Sequence, residues 1–287
     1  MNNVDKSPFR ELAPPNTKLG TLAVHHRCED LVKNDRKIRF IGMFSGAIYK
    51  FIFYYRNESI APLLTEKDKI DLLHISLSSQ KFRASLESKI GYGLYVLEEY
   101  EKVKRVTIPI KEDLVLITLE KDFEEIEKTV NEIYDIFYGG NNIFNSIFSV
   151  SSNAQNKAVQ NNTATGIKTF EDLFKTICLN EYNNLRYVSI ADENGKIKHE
   201  YFFPGVITRL SQTERNLSII HALKRWEKRN KFQHKIGKGL YALATYEKMK
   251  RITFPLKNGH LLLLTAEVDS DHKYIIEWIV ELSKNLR

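Results

Sequence analysis

A short block of charged residues occurs twice in the chain and is the first candidate for a binding surface. It reads YEKVKR at residues 100–105 and YEKMKR at residues 246–251. Glu–Lys pairs across the hairpin that such a block predicts stabilise it by about 0.2–1 kcal/mol each, which is one explanation for the repetition. A shared surface for a ligand or partner is the other. The candidate surface residues are Lys102, Lys104, Arg105, Lys248, Lys250 and Arg251.

A second candidate is a basic stretch between residues 224 and 238, which follows a helical pattern and includes Trp226. Clustered cations neutralise the phosphates of a nucleic acid, and an interleaved aromatic ring adds stacking. An acidic protein partner and a solvated helix face are the alternatives. The candidate residues are Lys224, Arg225, Lys228, Arg229, Lys231, Lys235 and Lys238.

Two glycine pairs resemble part of a phosphate-binding loop but lack its other features. Gly91-x-Gly93 and Gly237-x-Gly239 have no third glycine. Each pair also precedes a predicted strand, so no helix N-terminus is directed at a phosphate. We interpret them as turn glycines, and the sequence predicts no cofactor and no catalytic residue.

Two groups of potential metal ligands have a simpler explanation in the predicted helices. His25, His26 and Cys28 lie in a predicted helix, where adjacent histidines point about 100° apart and suit one metal ion poorly. Asp269 and Asp271 precede another helix, where carboxylates cap the free N–H groups. The sequence therefore predicts no metal site.

The elements that position these residues come from an internal repeat. Residues 91–111 and 237–257 are identical at 13 of 21 positions with a constant offset of 146. We predict a disordered tail (1–20), a first repeat (21–140), a polar linker (141–166) and a second repeat (167–287). The linker is rich in Asn, Ser, Gln and Thr, which is typical of flexible connections.

Each repeat predicts the order α-β-β-α-β-β-β-α. The long central helix begins with a capping box, Thr65-x-x-Asp68 or Ser211-x-x-Glu214. Leu217, Ile220 and Leu223 recur at helical spacing and are predicted to face the sheet, with Trp226 as a further candidate. The turns after that helix are too short for crossover helices, so the last three strands must be antiparallel. They are predicted at 93–100, 104–110 and 114–120, and at 239–246, 250–256 and 260–266.

The predicted fold class is α/β of the α+β type: two tandem domains, each a five-stranded antiparallel sheet flanked by helices. This order resembles the profilin-like and roadblock-like architecture, and less closely a PAS domain. The motifs G-x-G-L-Y, Y-E-K-x-K-R, T-x-P and L-L-L-L-T-A-E also resemble a family of small uncharacterised proteins from ammonia-oxidising archaea. That resemblance covers most of each repeat and implies the fold and a cytoplasmic setting, without an assigned activity.

The composition of the chain limits the classes of protein to which it can belong. No segment approaches the 18 or so consecutive apolar residues of a membrane span, the start lacks a signal-peptide core, and there are two cysteines. These features predict a cytoplasmic protein without a disulfide framework or a membrane partner. Residues 141–287 hold 22 Lys and Arg against 14 Asp and Glu, whereas residues 1–140 hold 21 against 22. The basic excess therefore belongs to the second repeat.

These observations favour a non-enzymatic interaction, signalling or scaffold module, in which the two domains pair with each other or bind protein partners. Self-association is included in this expectation. One alternative is a nucleic-acid-associated protein that binds phosphate through the basic helix of the second domain. A further alternative is a PAS-like sensor with a small-ligand pocket between sheet and helix.

Overall fold

The computed structural model of the chain describes residues 18–139, 167–180 and 184–287. The predicted tail falls outside the described residues except for positions 18–20. The predicted linker, 141–166, falls outside them entirely, so its boundaries stay predictions.

The described residues form the same series of elements twice. The first repeat has helices α1 (Lys18–Asn34), α2 (Glu66–Ala84), α3 (Glu87–Ile90) and α4 (Ile126–Tyr138), and strands β1 (Ile38–Ser45), β2 (Lys50–Arg56), β3 (Gly93–Tyr100), β4 (Val103–Ile110) and β5 (Asp113–Glu120). The second has helices α5 (Phe170–Cys178), α6 (Gln212–Asn230), α7 (Gln233–Ile236) and α8 (His272–Leu282), and strands β6 (Leu185–Ala191), β7 (Ile197–Phe202), β8 (Gly239–Tyr246), β9 (Lys250–Pro255) and β10 (Leu261–Ala266). The predicted order is confirmed, with one short helix, α3 or α7, added to each repeat.

The long helices α2 and α6 begin where the sequence predicts. The Thr65 side chain accepts a hydrogen bond from the backbone N–H of Asp68, and the Asp68 carboxylate accepts one from the backbone N–H of Thr65. Ser211 and Glu214 form the same reciprocal pair at the start of α6. Both capping boxes are confirmed, and they satisfy N–H groups that have no partner within the helix.

The ten strands of the described residues form one antiparallel sheet in the order β2-β1-β5-β4-β3-β8-β9-β10-β6-β7. Each repeat therefore supplies five adjacent strands in the same internal order, and the α+β fold class is confirmed. The prediction of a separate five-stranded sheet in each repeat is not confirmed, because the pairing of β3 with β8 joins all ten strands into one sheet. The repeats meet where β3 pairs with β8, and the central pair of that ladder is Leu97 with Leu243. Because these two residues differ by the repeat offset of 146, a pseudo-two-fold axis passes between them.

The sheet is covered by helices on both faces. Helices α1, α4, α5 and α8 bury the largest hydrophobic cluster, which includes Leu97 and Leu243. Helices α2 and α6 pack on the other face over several smaller clusters. Side chains of a strand alternate between faces, so Glu98 and Ala244, next to the axis residues, lie on the α2/α6 face. This second face holds the polar residues described below.

The predicted buried stripe of α6 is partly wrong. Leu217 is 44% exposed, and the buried residues are Ser218, Ile219, Ala222, Trp226 and Arg229. The stripe is shifted because α6 packs against α2 as well as against the sheet. The predicted contact of Trp226 is confirmed, since its ring is 4% exposed and packs over Gly239.

Candidate functional site

The duplicated charged block does not form one exposed surface. Lys102 and Lys248 are exposed at the turns, Lys104 is half-buried, and Arg105, Lys250 and Arg251 are buried. The prediction of a cationic surface is therefore wrong for the last three residues. Successive residues of a strand point to opposite faces, and helices cover both faces of this sheet, so a charged side chain beyond the turn enters the interior.

The turns of this block join the two repeats reciprocally. The Glu101 carboxylate accepts a hydrogen bond from the backbone N–H of Lys238 at 2.9 Å, and Glu247 accepts one from the N–H of Tyr92 at 2.7 Å. The backbone N–H groups of Glu101 and Glu247 also donate across the interface, to the carbonyls of Lys238 and Tyr92. Each Tyr-Glu-Lys turn thus contacts the Gly-x-Gly segment of the other repeat, which gives both duplicated motifs a structural role.

The predicted basic surface is also divided. Lys224, Lys228, Lys231 and Lys238 are exposed, Arg225 and Lys235 are half-buried, and Arg229 is buried. Lys235 forms an ion pair with Asp68 of the first repeat at 2.6 Å. The prediction that all seven face a polyanion is wrong for Arg229, because the second half of α6 packs over the junction between the repeats.

Arg229 instead reaches a carboxylate on the α2/α6 face. Glu98 of β3 accepts a hydrogen bond from Arg105 Nη1 at 2.9 Å and a second from Arg229 Nη2. The Tyr100 hydroxyl donates to the same carboxylate at 3.1 Å. Glu98, Arg105 and Arg229 are 3%, 1% and 4% exposed. Burial alone would raise the pKa of Glu98, but the two guanidiniums and the Tyr100 hydroxyl hold this pKa below its ordinary value.

The equivalent position of the second repeat has no carboxylate. At the offset of 146, Ala244 replaces Glu98, while Arg251 corresponds to Arg105 and Arg83 to Arg229. The strand register agrees, because Arg105 pairs with Glu98 and Arg251 with Ala244. Glu98 therefore compensates the charge of two arginines on one side of the axis, and the equivalent arginines on the other side have no such carboxylate. Sequence reasoning missed this site. It could have been found by comparing the repeats, because a glutamate of the first repeat is an alanine in the second while both arginines recur.

A third arginine of α6 increases the imbalance. Arg225 has a buried Nη1 atom without a hydrogen-bond partner, and Arg251 has an unpartnered Nε, although its Nη2 donates to the Ser218 carbonyl at 2.9 Å. Arg105 and Arg229 also have unpartnered nitrogens, so the difference between the two sides is the carboxylate. In the described part of the chain, no carboxylate oxygen lies within 4.0 Å of the guanidiniums of Arg83, Arg225 or Arg251. Burial, followed by repulsion from Arg251, Arg229 and Arg83, lowers the pKa of Arg225. A guanidinium starts from a pKa above 12, so the group stays charged.

Cavities surround these arginines. A small cavity of about 20 Å³ has Arg83, Arg225, Arg251 and Ala244 in its wall. Arg83 and Tyr246 also line two larger clefts that open to solvent. The arrangement offers planar, paired N–H donors beside clefts that open to solvent. That is the chemistry of carboxylate or phosphate recognition.

A separate polar group lies on the opposite face, between α4 and α8. The buried Lys250 ammonium donates to the Ser270 carbonyl at 2.7 Å, and burial lowers the pKa of Lys250 while Glu127 and Asp271 oppose that shift. Burial and the positive charge of Lys250 lower the pKa of His272 to about 3. Unlike the arginine cluster, this lysine has nearby acids. Asp271 accepts the Tyr274 N–H at the start of α8, which confirms the predicted cap.

The predicted metal ligands are not brought together. Cys28 is fully buried and packs in the main core, whereas the His25 ring packs against Phe53 at a tilt, with centroids 4.2 Å apart, and His26 is exposed. Burial raises the pKa of the Cys28 thiol to about 12. Across the ranges that the structure describes, no group of three or more His, Cys, Asp or Glu side chains is arranged to hold a metal ion.

No protein-family model matches the chain, and the search of curated proteins gave no match. The resemblance to the archaeal family therefore stays a prediction. Among the described helices, none combines the length and apolar content needed to cross a membrane.

Proposed function

We propose that the chain is a non-enzymatic ligand-binding module in which Arg83, Arg225 and Arg251 bind an anion at the junction of the two repeats. The observation that carries this proposal is the absence of a carboxylate at Ala244, the position equivalent to Glu98, which balances the equivalent arginines of the first repeat. Of the expectations from the sequence, it corresponds most closely to the small-ligand sensor.

The physical argument is the cost of buried charge. A charge removed from water costs several kcal/mol unless a partner compensates it, and arginine cannot escape this cost by losing its proton. Arg251 is buried, and Arg83 and Arg225 are half-buried. Leaving these three guanidiniums without a carboxylate of the described residues within 4.0 Å is therefore unfavourable unless a ligand compensates their charge. A bound anion offsets the repulsion between the guanidiniums and accepts hydrogen bonds from donors such as Arg225 Nη1.

The first prediction tests anion binding with a variant that supplies the missing acid. Multivalent oxyanions, such as sulfate and pyrophosphate, should raise the melting temperature of the full chain in a saturable way, compared with chloride at equal ionic strength. Anion at a hundredfold excess over its Kd stabilises a protein by about 2.7 kcal/mol. The variant Ala244→Glu places a carboxylate where Glu98 stands in the first repeat. It should melt higher than the wild type without added anion and should lose the response to oxyanions.

The control for this experiment is Lys224→Gln, which removes an exposed charge of the same helix. It should keep the full response, because Lys224 does not line the cavity. The proposal fails if sulfate and pyrophosphate act no more strongly than chloride on the wild type. It also fails if Ala244→Glu responds to anions as strongly as the wild type does.

Self-association is the second candidate function, and the edge strand β2 favours it. Pairing between β3 and β8 covers those inner edges, but β2 ends the sheet and has one neighbour, β1. Its Ile52 and Tyr54 are 48% and 46% exposed. An apolar edge with free backbone groups is a template for pairing with another strand.

The second prediction concerns this edge. If two chains pair through β2, analytical ultracentrifugation of the wild type should show a concentration-dependent dimer, and Ile52→Lys should shift it to the monomer because a charged side chain blocks edge pairing. Leu217→Lys changes an exposed leucine away from this edge and serves as the control. A wild type that stays monomeric at high concentration would exclude this role for β2.

A further inference from the structure

The arginine cluster adjoins a cleft that the proposed anion site alone does not explain. The cleft has a volume of about 70 Å³, opens to solvent, and has Arg83 and Arg251 in its wall. The other walls are largely apolar and include Leu86, Ile90, Val206, Leu210, Met249 and Leu263.

Two other arginines of this cleft already have acidic partners. Arg186 pairs with Glu267, and Arg215 pairs with Glu200 at 3.4 Å. Both also donate to backbone carbonyls of the segment after β7: Arg186 to Ile207 and Arg215 to Leu210, each at 2.9 Å. They therefore hold the wall of the cleft in place. Arg209 also lines the cleft but is exposed, so Arg83 and Arg251 are the less exposed arginines left to meet an anionic group.

The first repeat fills the equivalent space with its own side chains. Its cleft, next to Val103 and Leu64, measures about 30 Å³. Leu72 of α2, which is 1% exposed, packs there with Ile75. At the repeat offset, Ser218 replaces Leu72 and His221 replaces Ile75. The second repeat thus has neither the internal carboxylate nor the leucine side chain, and both positions are on the α2/α6 face.

We propose that the ligand is a monocarboxylate with an unbranched acyl chain, the carboxylate at Arg83 and Arg251 and the chain in the apolar cleft. This inference rests on the proposed anion site. In the first repeat, one carboxylate satisfies two guanidiniums, and the same two arginine positions are retained in the second. The ligand carboxylate takes the place of the Glu98 group, and its acyl chain takes the place of the Leu72 side chain.

Isothermal titration calorimetry of the full chain tests the inference with straight-chain carboxylates from acetate to decanoate, each below its micelle concentration. Affinity should rise about fourfold for each methylene that enters the cleft, which is the transfer of one methylene out of water expressed as a binding ratio. The rise should stop when the chain fills the cleft. Sulfate should bind as well, since it has a charge but no chain, and the longer carboxylates should compete with it.

The variant Ser218→Leu restores the side chain of the first repeat and leaves the arginines unchanged. The contact between Arg251 and residue 218 uses the backbone carbonyl, so it is retained. This variant should bind sulfate as the wild type does but should lose the gain in affinity with chain length. Ser88→Leu, on the exposed part of α3, is the matched control and should keep that gain.

Each outcome of these titrations distinguishes the two proposals. If sulfate binds and affinity does not increase with chain length, the acyl-chain inference fails and the anion site stands. If neither sulfate nor any carboxylate binds the wild type, both fail. If Ser218→Leu keeps the full dependence on chain length, the chain does not occupy this cleft and the inference is wrong, whatever the wild type binds.

Discussion

Glu98→Gln should lower the free energy of unfolding by about 3–5 kcal/mol, which is the usual cost of removing one partner from a buried ion pair. Gln has nearly the shape of Glu but no charge, so the packing is kept and the compensation is lost. Arg105 and Arg229 would then join the other buried arginines without a counter-ion. Equilibrium unfolding in urea measures the effect.

The size of this loss should depend on pH. A carboxylate whose pKa is lower in the folded than in the unfolded state stabilises the fold above the unfolded pKa, which is about 4.3 for Glu, and this contribution is lost as the pH falls through the folded pKa. The pKa of Glu98 is lowered in the fold. The difference between wild type and Glu98→Gln should therefore be constant near pH 7 and decrease in acid.

The control is Glu58→Gln, which removes an exposed ion pair with Arg56. Exposed pairs contribute little, so this variant should unfold close to the wild type at every pH. If Glu98→Gln also unfolds close to the wild type at pH 7, then Glu98 does not compensate the buried arginines. The alanine at position 244 would then not indicate an unfilled anion site.

Most of the fold is predictable because local rules determine it. The strands at 93–100 and 239–246, the capping boxes, and the antiparallel order follow from periodicity, side-chain capping and short turns. The prediction for Leu217 failed because α6 packs against a second helix as well as the sheet, and helical spacing alone cannot place the centre of a stripe shared by two neighbours.

The candidate site could not be predicted from local sequence patterns for a related reason. A cationic side chain on a surface helix or beside a turn is usually solvated, so the sequence predicts surface positions for Arg105, Arg229 and Arg251. Their burial depends on the pairing of β3 with β8, which is a contact between residues 146 positions apart. Comparing the repeats at that offset does carry information, because Glu98 changes to Ala244 while the arginines are kept.

The junction between the repeats leads to the second large effect, at the glycines of the Gly-x-Gly segments. Gly237 has φ 84° and ψ 172°, and Gly91 has φ 83° and ψ 171°, a backbone region that is almost restricted to glycine. A Cβ on Gly237 would lie 2.6 Å from Glu101 Cβ, and one on Gly91 would lie 2.7 Å from Glu247 Cβ. Neither neighbour can move freely, because each glutamate is held by hydrogen bonds to the other repeat.

Gly237→Ala should therefore lower the free energy of unfolding by about 2–6 kcal/mol, since backbone strain and overpacking each cost about 1–3 kcal/mol. Gly91→Ala should cost a similar amount, because the pseudo-two-fold axis gives it the same surroundings. Gly205→Ala is the control: Gly205 also has a positive φ, of 78°, but no atom lies within 4 Å of its added Cβ. Urea unfolding of the three variants compares a glycine that has both backbone strain and a close neighbour with one that has a positive φ alone. If Gly237→Ala and Gly205→Ala lose the same stability, the turn of Glu101 does not press on Gly237, and the reciprocal docking of the repeats is wrong.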